Sequence, residues 1–146
     1  MNAVRLNKIL VTLAGDGNFN RLFTQCTVVA VEKEYLRCRF QVSKAEMNSY
    51  RKLHGGYMAS AVDVISSLDL IRHGHDNHVT VDLGISLFQL IFIRSCFKPI
   101  SLGNWVLVDS FLMRKGKTLA FLEVHFRDEA TNELCVTGRH TKFLLP

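Results

Sequence analysis

The chain has 146 residues, of which 48% are hydrophobic and 21% charged, with a formal net charge of +5. The length suits one core and leaves no room for a second of ordinary size, and the apolar content excludes a disordered chain. The positive balance favours anionic partners without choosing among nucleic acid, anionic lipid and a phosphorylated small molecule.

The opening stretch carries Arg5 and Lys8 with no acid before Asp16. This predicts an amphipathic N-terminal helix over residues 1–20, although a mitochondrial presequence has a similar pattern. In the next segment Tyr35, Arg37, Arg39 and Gln41 alternate with Leu36, Cys38, Phe40 and Val42. That period of two predicts a strand, paired with the preceding apolar run through a hairpin around Glu32 to Glu34. From Gly55 onward the period changes: Tyr57, Ala61, Val64, Leu68 and Ile71, with Ile65 beside them, define the apolar face of one long helix. Strands then return, one from Val79 towards Phe97 and three more separated by the turns RKGK and DEATNE. The expected class is α+β, with an antiparallel sheet wrapped around one long central helix in a hotdog arrangement, as one domain spanning residues 1–146.

The most apolar stretch, about Val79 to Ile93, is broken by Asp82 and Gln89. It falls short of the ~20 continuous apolar residues of a membrane span, so no membrane span is expected. Cys26, Cys38, Cys96 and Cys135 form no CxxC pair. A reducing compartment follows as the expectation, the cytoplasm first and the mitochondrion as the alternative.

The helix opens with His54, Gly55 and Gly56, which leaves free N–H groups beside residues without side chains, a suitable oxyanion hole. Paired glycines alone imply no more than a tight turn. The opposite face adds weight, because Gly56, Ala59, Ser60, Asp63, Ser66 and Ser67 make a strip of small residues bearing one mid-helix carboxylate. Eight residues separate Gly55 from Asp63, ~12 Å at the helical rise, so one carbonyl cannot touch both. Shared work on one substrate requires two chains with their helices antiparallel across a two-fold axis.

Asn48, the run LHGGYMASAVD, the following TVD, then KPISLG, RKGKTLAF and GRHTK together resemble the hotdog-fold acyl-CoA thioesterases, from about residue 20 to Phe143. The resemblance implies hydrolysis of medium- to long-chain acyl-CoA by a homo-oligomer, a dimer of hotdog dimers, with CoA lying across subunit boundaries. CoA enters as substrate, and neither cofactor nor metal is implied. Carried over, Gly55 donates its N–H to the thioester oxygen, Asp63 acts as general base or nucleophile, and Asn48 positions water or carbonyl. Thr80 stands where the family type usually has serine. The family's HGG run leaves His54 chiefly a turn-fixing residue. The resemblance and the positive charge together direct Lys98, Arg114, Lys115, Gly116, Lys117, Thr118, Arg139 and Lys142 towards the phosphates of CoA.

Other signals are weaker. GKT at Gly116 to Thr118 lacks the glycine a P-loop needs, since Phe111 stands there. His73, His75 and His78 have metal-like spacing within a polar loop, and no RNP, KH or helix-turn-helix pattern supports nucleic-acid binding. The sequence departs from the family at LFQLIFIR, an apparent insertion at residues 87–94. It would cover an interface, extend the acyl pocket or reflect a faulty gene model. An acyl-CoA-binding protein weakened in catalysis, and a dehydratase working through His54, are the competing readings.

Overall fold

A computed structural model describes residues 1–15, 17–87 and 100–146. The elements in chain order are α1 (Ala3–Ala14), β1 (Thr27–Val31), β2 (Leu36–Gln41), α2 (Gly55–Arg72), β3 (His78–Leu87), β4 (Trp105–Lys115), β5 (Leu119–Asp128) and β6 (Leu134–Leu144). Short 3-10 turns at Phe19–Phe23 and Lys44–Glu46 lead into β1 and away from β2.

The strands form a six-stranded sheet in the order β1-β2-β4-β5-β6-β3, antiparallel at every junction. Their two-residue alternation sets the faces: Leu36, Cys38 and Phe40 of β2, Val106 and Val108 of β4, and Val124 and Phe126 of β5 are buried. Against this inner face lies α2, touching β3, β4, β5 and β6. It is buried almost all round, with Ala61, Val62, Ile65 and Leu68 at zero exposure, as befits a helix enclosed by a sheet. The ring of Tyr57 fixes its first turn, stacking on Phe23 at 5.1 Å and meeting Phe40 edge-on at 5.2 Å. Gly138 of β6 lets strand and helix close up: a Cβ there would stand 2.3 Å from Val62 Cγ2.

The N-terminal helix is shorter than residues 1–20. It ends at Ala14, before Gly15 and the positive-φ Gly17, and Asn18 caps the separate 3-10 turn that follows. Through Asn7, α1 covers the exposed edge of β1, because the amide accepts from the Val28 N–H at 2.7 Å and donates to its carbonyl at 2.9 Å. The other edge strand, β3, leaves Val79 and Val81 exposed. It runs to Leu87, and the remainder of the predicted insertion and of the strand towards Phe97 lies outside the described residues. No helix among the described residues is long and apolar enough to cross a membrane.

Candidate active site

The loop before α2 combines local hydrogen bonds with longer-range ones. Asn48 Oδ1 accepts from the backbone N–H groups of Tyr50 at 2.9 Å and Lys52 at 3.1 Å, closing a turn in which Arg51 takes a positive φ. Those two donors fix the amide's orientation, and among the described residues no acceptor takes its Nδ2 hydrogens. The loop is seated by Leu53 N–H on the Ile100 carbonyl at 3.0 Å and His54 N–H on that of Glu46 at 2.7 Å. His54 is the N-cap of α2, its Nδ1 accepting from Gly56 N–H at 2.8 Å. A side chain at position 56 would crowd that ring, since a Cβ there would sit 3.0 Å from Nδ1. The Gly55 N–H has no partner among the described residues, and nothing lies within 4 Å of where its Cβ would be. An acceptor can reach that first N–H, where the helix dipole favours developing negative charge. An open depression of about 450 Å³ beside it is lined by Phe19, Leu22, Met47 and Tyr57.

Two turns further along, a second cluster is built by tertiary contacts. Lys142 Nζ donates to Asp63 Oδ1 at 2.8 Å and to Thr80 Oγ1 at 3.1 Å, and Thr80 Oγ1 lies 3.2 Å from the same carboxylate oxygen. Thr80 and Lys142 face each other across the β3–β6 ladder, next to the register shift between Thr80 and Asp82. The cluster continues into the core through His140, whose Nε2 is 3.0 Å from Thr80 Oγ1 and whose Nδ1 is 2.6 Å from Ser66 Oγ. Ser66 Oγ also lies 2.6 Å from the Val62 carbonyl oxygen. Two such short contacts need two hydrogens and the hydroxyl has one, so Nδ1 carries its own and Nε2 is the acceptor.

Burial works to raise the Asp63 carboxyl, but the Lys142 ammonium, helped by His140 and Thr80, holds it below the usual carboxylate range. Burial, reinforced by the Lys142 charge, pushes His140 down to about 4, which makes it a neutral imidazole near pH 7. Asp63 keeps 46% of its side chain exposed while Lys142 keeps 4%. The Lys142 ammonium donates to Oδ1, with Thr80 Oγ1 also beside that oxygen, and among the described residues no donor reaches Oδ2. The half-open carboxylate therefore presents one oxygen outward.

Within one chain the structure brings Asp63 together with Thr80 and Lys142, and leaves Asn48, His54 and Gly55 at the far end of α2. Lys142 is a correction to the sequence reading: expected among cations facing CoA phosphates, it is buried, with its charge committed to Asp63. Ser66, a member of the strip of small residues, lies fully buried under β6. The sequence carries little sign of His140 as a member of this cluster. Its visible trace is the inner-face alternation of β6, in which Gly138, His140 and Lys142 interrupt the apolar run from Val136 to Leu144.

Arg114, Lys115, Gly116, Lys117 and Thr118 form the exposed β4–β5 turn, closed by Gly116 N–H on the Leu119 carbonyl at 2.7 Å. Lys115 Nζ reaches His75 Nε2 at 2.7 Å. Arg139 is exposed on the outer face, in register with Gly84 and Glu123. Lys98 lies outside the described residues. The three loop histidines go separate ways: His73 lies 3.8 Å from Asp69, His75 meets Lys115, and His78 begins β3. Among the described residues no group of three or more His, Cys, Asp or Glu could hold a metal ion.

The profile of the thioesterase superfamily matches residues 50–135, a span that contains both ends of this helix. The chain belongs to that superfamily, a family of thioester hydrolases, and its architecture is the hotdog fold. Its likeness runs in particular to acyl-coenzyme A thioesterase 13 of Homo sapiens, 30% identical over 141 residues, covering 95% of this chain and 94% of the relative. The crystal structure of zebrafish thioesterase superfamily member 2 matches with a TM-score of 0.86 at 26% identity, covering 99% of each chain. A Streptococcus mutans protein bound to acetyl CoA matches with a TM-score of 0.72 at 25% identity, covering 84% of this chain and 90% of that one.

Proposed function

We propose that this protein hydrolyses medium- to long-chain acyl-CoA to free acid and CoA at a site shared by two subunits. The observation that carries the reading is the half-exposed Asp63 carboxylate, with Oδ1 held by Lys142 and Oδ2 without a donor among the described residues. Its distance from Gly55, eight residues and ~12 Å along α2, leaves the thioester to be gripped by the partner's helix start. Exposed Val79 and Val81 on the β3 edge supply apolar surface for such pairing, and a dimer of hotdog dimers is the assembly we infer.

In this site the Gly55 N–H and the Asn48 amide of one subunit polarise the thioester carbonyl. Asp63 Oδ2 of the other removes a proton from water as its oxygen attacks the carbonyl carbon, and Thr80 helps hold that water. The tetrahedral intermediate collapses with cleavage of the C–S bond, and the CoA thiolate leaves to take up a proton. The apolar depression next to Gly56 suits a long acyl chain, and the exposed cations of the β4–β5 turn suit the CoA phosphates. The likeness to the human acyl-coenzyme A thioesterase 13 and the acetyl CoA in the Streptococcus mutans structure support the substrate class.

The test is thiol release from lauroyl- and palmitoyl-CoA by wild type and Asp63→Asn. The substitution should lower kcat by ~10²–10⁴-fold while leaving acyl-CoA binding in place. Binding without turnover in folded wild type would instead make the protein an acyl-CoA carrier.

A further inference from the structure

We propose that Lys142 is a positioning residue for this hydrolysis: its buried ammonium clamps Asp63 by Oδ1 and thereby selects Oδ2 as the oxygen that meets water. The inference rests on the reading of Asp63 given above.

The clamp is rigid for identifiable reasons. Lys142 sits on the inner face of β6, flanked in register by Thr80 of β3 and Ala120 of β5. Its side chain is 4% exposed, and its head group meets the carboxylate at 2.8 Å and the threonine hydroxyl at 3.1 Å. A ligand approaching from the surface cannot recruit so buried a charge. An aspartate alone on a helix would turn about its side-chain torsions and present either oxygen; the ion pair removes that freedom. The pair also has an electrostatic task. A partner subunit closing over Asp63 strips water from it, which favours the protonated acid, and an ammonium 2.8 Å away keeps the carboxylate ionised. The lowered Asp63 pKa already present in the single chain has the same sense.

The experiment measures kcat and KM against pH, with lauroyl-CoA, for the full-length wild type, Lys142→Met, Asp63→Asn and the double variant. Lys142→Met should lower kcat by ~100-fold with KM little changed, and the acid limb of its kcat profile should move to higher pH. The double variant should be no slower than Asp63→Asn, because the lysine acts only through the aspartate. A lysine needed merely for packing would instead lower both backgrounds by the same factor and leave the limb in place, which would overturn the proposal. Should Lys142→Met alone fold poorly, the double variant, with no uncompensated buried charge, still decides the matter by its comparison with Asp63→Asn. Wild type without turnover would remove the hydrolase reading itself, whereas active wild type with an unaffected Lys142→Met would remove the clamp alone.

Discussion

The two ends of the working part of α2 are held in opposite ways. At the N-terminus, Asn48 bonds residues two and four positions away and His54 a residue two away, so local bonds shape the turn, which the Leu53 N–H bond to the Ile100 carbonyl then seats. At Asp63 the partners come from 17 and 79 residues along the chain, and the geometry exists only once β3 and β6 have docked on the helix. One half is preorganised locally and faces an open depression; the other is imposed by the core and keeps one oxygen for the outside. Such halves tolerate different damage, which makes the contrast open to experiment.

The largest effect should come from separating the halves onto different chains. Asn48→Ala should lose ~10²-fold or more in kcat, and Asp63→Asn at least as much. Co-expressed, random pairing puts one intact shared site in half of the dimers, so turnover should recover to about a quarter of wild type. A site contained in one chain gives no recovery, and that result would break the comparison at its base.

The buried half should also respond to acid more than the loop does. The His140 imidazole accepts a proton near pH 6.5 when unfolded but only at about 4 when folded. Between those values the unfolded chain binds more protons, so stability is fully present above pH 6.5 and falls as pH drops towards 4. The loss from His140 alone is on the order of 3 kcal/mol, and His78, lowered in the same direction, adds to it. Urea unfolding at fixed protein concentration should show this slope in wild type and a flatter one in His140→Gln. Equal slopes would mean that the His140 proton is not linked to folding.

Legibility in the sequence follows the same division. The α+β class, the β1–β2 hairpin and the extent of α2 could be read because they rest on periodicities of two and 3.6 within short windows. Gly55 and His54 could be read because glycines and a turn-fixing residue act on neighbours, whereas Asn48 came only from the family resemblance. The contact of His140 with Ser66 could not be read, since it depends on which strand lies over which helix turn, and periodicity does not encode that pairing. Lys142 shows the cost of reading charge without depth: in GRHTK it passes for another surface cation, although its two-residue offset from His140 puts both on the inner face. Gly138 in the same motif shows a spacing constraint, and Gly138→Ala should destabilise the protein by ~1–3 kcal/mol in denaturant unfolding, the added methyl colliding with the stiff Val62.

The smallest effect should be at His54, and it separates a cap from a catalyst. Since Nδ1 accepts the Gly56 N–H, the ring has an assignment that any short acceptor side chain can take over. His54→Asn should therefore keep the helix start, with stability close to wild type and kcat reduced only a few-fold, ~1 kcal/mol or less in barrier. His54→Ala removes the acceptor and should cost ~1 kcal/mol of stability, with kcat falling further because the orientation of the Gly55 N–H loosens with the first turn. A histidine that exchanges protons with substrate behaves otherwise, losing kcat equally in both variants whatever their stability. Parallel kcat and urea measurements on the two substitutions distinguish these outcomes, and equal, large losses would move His54 from scaffold to chemistry.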